Sequence, residues 1–146
     1  MLVSVFYGST VTRLFQGVAA TLLGPSAVGG GTRTALIGLA MHFTVALAWS
    51  AVFLLLYSRS AWIRDVVASP GGVLKVAAIY GPAIWMFMSL VVVRTLANRP
   101  PTINVRWWVQ FFGHIPFVAV PIVASIGRGF AGAPLTGAPR PHVSEA

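Results

Sequence analysis

The sequence predicts an all-α integral membrane protein, built as a small transmembrane helical bundle. Three observations lead there. Hydrophobic residues make up 57% of the chain and charged residues only 8%, against about 25% charged in a soluble domain. Three stretches, 34–57, 76–93 and 107–127, hold no Asp, Glu, Lys or Arg. Each is close to the ~20 apolar residues that cross the hydrocarbon core of a bilayer. Basic residues stand at their edges: Lys75 and Arg94 bracket the second run, and Arg106 and Arg128 the third. A helix that is apolar all round could also be the buried core of a large soluble protein. Three such runs leave too little polar chain to wrap them.

The elements follow in order. Residues 1–33 form a truncated first helix, a short helix and a Gly-rich loop. LFQGVAATLL, at 14–23, makes about three helical turns, too short to span. Gly24-Pro25 stops it, so it lies in the interface or re-enters the membrane. SAVGGGTR then turns the chain into the first span, 34–57. The second span is 76–93 and the third 107–127. The second is short, but Lys75 and Arg94 can snorkel to the headgroups. Loops are expected at 58–74 and 94–106. Residues 128–146, rich in Gly, Ala and Pro, form a disordered tail. Trp62, Trp107 and Trp108 lie near run ends, where an aromatic belt is expected.

Ten Lys and Arg face two Asp and Glu, for a net charge of +8. The basic residues are scattered singly at the edges of apolar runs and form no patch. That is the pattern of anchors at lipid headgroups, not of a nucleic-acid footprint. The implied partner is the lipid bilayer, with a second copy or another membrane protein beside it, and no nucleic acid. Three spans place Arg13, Arg33, Arg94, Arg99 and Arg106 on one side. Arg59, Arg64, Lys75, Arg128 and Arg140 fall on the other. The tally is equal, so the positive-inside rule assigns no orientation. There is no Cys, which excludes disulfides, thiolate metal sites and cysteine nucleophiles. The N-terminus lacks the basic region and cleavage site of a signal peptide.

His42 lies inside the apolar stretch ALIGLAMHFTVALAW. Every fourth residue around it gives Gly38, His42, Ala46 and Ser50, a stripe of small residues that lets helices approach in lipid. His42 is therefore expected to face another helix. On the third run His114 follows Gln110 by one turn. The middle run presents Ala77, Gly81, Trp85 and Ser89. At 1.5 Å per residue His42 and His114 both lie about 10–12 Å in from the same side, and Trp85 at a similar depth. His42, His114, Trp85 and Gln110 are the candidate polar layer. Gly38, Ala46, Ser50, Ala77, Gly81 and Ser89 are the packing stripe. Pro82, Pro116 and Pro121 interrupt backbone hydrogen bonding within the spans, and Pro116 is expected to bend its helix near His114.

Enzymatic chemistry finds no support. The acids are Asp65, in a loop, and Glu145, in the tail, so a paired-carboxylate mechanism is excluded. Ser50 and Ser89 sit in no nucleophile motif. Gly24 and Gly29 echo a P-loop, but Gly30 and Gly31 stand where Lys and Ser or Thr are needed. The expected function is a non-enzymatic structural or accessory membrane component, with no cofactor. One alternative is a small transporter or channel with His42 and His114 on its path. A second is a haem-binding electron-transfer subunit, with the paired histidines as ligands. Ligand histidines are usually oriented by a carboxylate or a backbone carbonyl, and no span contains a carboxylate.

FQGVAATLLGPSAVGGG, then ALIGLAMHF, then IYGPAIWMFMSLVVV resemble a group of uncharacterised small bacterial inner-membrane proteins. The resemblance covers roughly residues 4 to 127. It implies a four-helix bundle in the cytoplasmic membrane and brings no assigned activity or catalytic residue. It also implies a full transmembrane helix ahead of LFQGVAATLL, where this chain has only MLVSVFYGSTVT. Either the chain begins late or that helix is lost. Arg94, just after VVV, stands where a more apolar continuation is expected.

Overall fold

A computed structural model describes residues 10–98, 100 and 102–130. Helix α1 is Val11–Leu23 and leads through a 3-10 turn, Pro25–Gly29, into α2, Gly31–Arg59. A short helix α3, Ala61–Ala68, follows. Helix α4 is Gly72–Ala97 and α5 is Val105–Phe130. There is no strand among the described residues. α2, α4 and α5 are long and apolar enough to cross a membrane, with mean hydropathy 2.0, 2.0 and 1.7. The expected all-α bundle is observed.

Each of these helices overruns its charge-free stretch. Arg33, Arg59, Lys75, Arg94, Arg106 and Arg128 all lie within helical turns at the ends. A charge at a helix end reaches the headgroups by its flexible stem, so charge marks the edge of the hydrocarbon layer and not the end of the helix. α5 continues through Phe130, so residues 128–130 are helix and not tail. The rest of the expected tail, and residues 1–9, lie outside the described residues.

α3 occupies what the sequence suggested was loop. Ser60 caps it by accepting from the Ile63 amide, as Ncap serines do. Arg64 donates to the carbonyls of Tyr57 and Ser58, both at 3.0 Å. It thereby satisfies acceptors that the end of α2 leaves open. Thr10 and Asn104 cap α1 and α5 in the same way.

α1 packs along the first half of α2 and also reaches the end of α4. The contact centres on Gly38, whose missing side chain lets the Phe15 carbonyl and the Ala19 amide approach the α2 backbone. α4 is the hub, packing against α3 and along α5. The main core joins Phe53 and Tyr57 of α2, Val67 of α3, Ala77, Tyr80 and Ile84 of α4, and Ala119 and Val123 of α5. It thus sits toward the side where α2 ends and α4 begins. The Tyr80 hydroxyl donates to the Trp49 carbonyl at 2.6 Å, tying α4 to α2.

Two stretches relax to π-helix: Met88–Val93 in α4 and Ile115–Ala119 in α5. The second starts directly after His114 and contains Pro116. The proline removes a backbone donor, and widening the turn is one local way to absorb that loss.

Candidate functional site

The stripe Gly81, Trp85, Ser89 on α4 faces α5. At its first step a Cβ on Gly81 would stand 2.9 Å from the carbonyl of His114 and from the amide nitrogen of Ile115. Only glycine permits that approach. One turn on, the Trp85 and His114 rings lie 4.9 Å apart and tilted by 41°. One turn further, Ser89 is buried and its Oγ accepts from the Trp107 indole N–H at 2.7 Å. The Trp85 and Trp107 rings are 6.1 Å apart. Antiparallel helices give this order, with α4 ascending past residues of α5 taken in reverse.

His114 Nδ1 lies 2.6 Å from the Gln110 carbonyl. A carbonyl can only accept, so Nδ1 carries the proton and the neutral ring keeps its lone pair on Nε2. Trp85 Nε1 is buried and has no hydrogen-bond partner. The site therefore holds an unmatched donor beside a ring whose acceptor nitrogen is uncommitted.

The candidate residues divide. Trp85 and His114 are in contact. Gln110 contributes through its main-chain carbonyl to His114. Ala77, Gly81 and Ser89 are buried on the α4 face. The ring neighbours of His42 are Phe15 of α1, at 6.0 Å, and Phe43, at 6.3 Å, and it lies near enough to His114 for the two to interact electrostatically. No hydrogen bond or ring contact joins it to His114 among the described residues, and its side chain is partly exposed. Depth along the span placed the two histidines at one level; rotation, which depth does not set, turns the His42 ring toward Phe15 of α1. On α2, Gly38 is buried under α1, while Ala46 and Ser50 are half-buried. Ser50 Oγ donates to the Ala46 carbonyl of its own helix, so it joins no other helix. The Gly38 and His42 part of the α2 stripe thus meets a short helix.

Three functional contacts were not foreseen. Gln16 is buried, and its Nε2 donates to the Gly31 carbonyl at 3.0 Å, pinning α1 to the start of α2. The signal was available, since Gln16 is the one amide in LFQGVAATLL. Tyr80 and Trp107 looked like ordinary aromatic residues of a span and its edge. Their polar ends bridge helices, as buried Tyr and Trp generally require.

No protein-family profile, curated protein or solved structure matches the chain. Among the described residues, no three His, Cys, Asp or Glu side chains gather as around a metal ion.

Proposed function

We propose that the chain is a multi-pass protein of the bacterial cytoplasmic membrane, acting as a non-enzymatic structural or accessory component. The observation that carries this is the use of the polar side chains within the bundle. Gln16 joins α1 to α2, Tyr80 joins α4 to α2, and Trp107 joins α5 to α4. Polar groups bonded between helices hold a bundle together. A conduit needs them along a water-filled path. The resemblance of the short helix and of the first and second spans to small bacterial inner-membrane proteins supports the location. The accessory role is supported by α2. Only 6% of its apolar window is buried, against 28% for α4 and 17% for α5. Its exposed Leu36, Phe43, Leu47 and Leu55 are offered to lipid, to a second copy or to another membrane protein.

Reconstitution in liposomes tests this reading. Vesicles containing the protein should be no leakier to protons or small solutes than empty ones, at any pH from 5 to 8, the range about the ordinary histidine pKa of roughly 6.5. Single cysteines on the outer face of α2, at Leu47 for example, should cross-link in membranes, and one at buried Phe53 should not. Flux abolished by His114→Phe would overturn the reading in favour of a transporter. A haem absorbance band in the purified protein would overturn it in favour of electron transfer.

A further inference from the structure

We infer that the Trp85–His114 contact binds a single hydroxyl group, supplied by water or by a hydroxyl-bearing molecule dissolved in the membrane. This goes beyond the structural reading above and does not rest on it.

The argument is one of donors and acceptors. Indole Nε1 can only donate, and Trp85 Nε1 is buried with nothing to accept from it. Such a group is costly inside a bilayer, where no bulk water can serve it. The neighbouring ring has the complementary need. His114 has committed its N–H to the Gln110 carbonyl, so Nε2 can only accept while the ring is neutral. No hydrogen bond to Nε2 exists among the described residues. The rings are 4.9 Å apart at 41°, yet the two nitrogens are not bonded to each other.

A hydroxyl answers both needs with one atom. Its oxygen accepts from Trp85 Nε1 and its proton goes toward His114 Nε2. With N···O distances of about 3 Å on each side, one oxygen bridges nitrogens up to about 6 Å apart. A carbonyl or ether oxygen would serve Trp85 and leave His114 unmet. A metal ion would take Nε2 and leave the Trp85 N–H unmet. The surroundings are aromatic and closely packed. Gly81 keeps the α4 and α5 backbones close beside this contact, and the Trp107 ring lies beyond Trp85 at 6.1 Å, tilted by 58°. The Ser89 hydroxyl is already engaged by Trp107, so it does not supply the missing oxygen.

The test uses the full chain, labelled with 15N in Trp and His, in nanodiscs of saturated phosphatidylcholine, a lipid without hydroxyl groups. The Trp85 indole resonance is identified by its loss in Trp85→Phe. It should lie in the hydrogen-bonded range, and His114 should show Nδ1 protonated with Nε2 accepting. Magnetisation transfer from water to the Trp85 N–H would identify water as the source. Where there is none, a long-chain alkylphenol should shift both the Trp85 and the His114 signals, and its methyl ether should not. That would identify a membrane-dissolved hydroxyl. A Trp85 N–H free of hydrogen bonding under both conditions would overturn the inference. So would equal shifts by phenol and ether, or a His114 proton on Nε2. If Trp85→Phe fails to fold, the His114 nitrogen shifts decide, since they need no variant.

Discussion

Trp107 of α5 donates its indole N–H to the buried hydroxyl oxygen of Ser89 on α4, at 2.7 Å. The bond fixes the rotation of both helices, because Ser89 shares a face with Gly81 and Trp85. It also places a residue that belongs by sequence to the membrane edge within the helix interface. Replacing Trp107 by Phe keeps most of the ring and removes the donor. Such interhelical bonds average about 0.6 kcal/mol in lipid and reach about 1.7. Trp107→Phe and Ser89→Ala should each lower stability by about 1 kcal/mol in detergent unfolding titrations. The double variant should lose no more than the larger single loss. Full additivity would mean that the two groups do not interact.

Gly38 separates packing from helix propensity. A side chain there would collide with the Phe15 carbonyl and the Ala19 amide, whereas Gly17 opens onto free space. Gly38→Ala should cost about 1–3 kcal/mol as α1 is pushed off α2. Gly17→Ala should be neutral or stabilising by up to about 1 kcal/mol, since alanine favours helix. Backbone amide exchange along α1 would show which variant detaches it. Equal protection in both would place α1 elsewhere.

Tyr80→Phe removes the hydroxyl that reaches the Trp49 carbonyl while leaving ring packing against Phe53 at 5.1 Å. The expected loss is about 1 kcal/mol. Trp49 emission should broaden as α2 loosens from α4, and unchanged emission and stability would remove this bond from the account.

Phe53 is 1% exposed and Leu47 is 70% exposed. In water-soluble cores Phe→Ala costs about 3–5 kcal/mol. In a bilayer the hydrophobic part falls away, because lipid is as apolar as the core. Phe53→Ala should therefore cost about 1–3 kcal/mol, from lost packing. Leu47→Ala should cost less than about 0.5 kcal/mol. Comparable losses at the two positions would mean that Leu47 is covered in the membrane, by a second copy or a partner.

The chain has no cysteine, so pairs can be introduced on a clean background. His42→Cys with His114→Cys should give little direct disulfide on oxidation, because that bond needs Cα atoms within about 7 Å, and the two histidines interact electrostatically without any ring contact, His42 lying against Phe15 of α1. Efficient cross-linking within one chain would show that α2 and α5, which already share the main core, also meet at the level of His42.

Much of the bundle was legible in the order of residues. The charge-free runs became α2, α4 and α5. Gly81, Trp85 and Ser89, read as one stripe, do share one interface, and His114 does meet Trp85. The surroundings of His42 have a specific origin. Gly38 and His42 were expected to face another helix, and they do: it is the short α1, which packs on Gly38 and sets Phe15 against His42, held there by Gln16 and the Gly31 carbonyl. α3 went unseen because eight residues around two charges, Arg64 and Asp65, look like a loop until Ser60 and Arg64 are seen capping neighbouring ends.

Sequence by itself determined the helical class and the segments long and apolar enough to cross a membrane. These depend on the summed transfer of neighbouring residues into lipid, and that sum is carried by length and composition alone. Only the tertiary structure decided that Trp107 would find Ser89, that α1 would shelter Gly38, and that Trp85 Nε1 would be left beside an uncommitted His114 Nε2. Those outcomes turn on helix rotation and on the fit of distant residues. Many weak contacts of similar size compete there, and no local pattern along the chain ranks them.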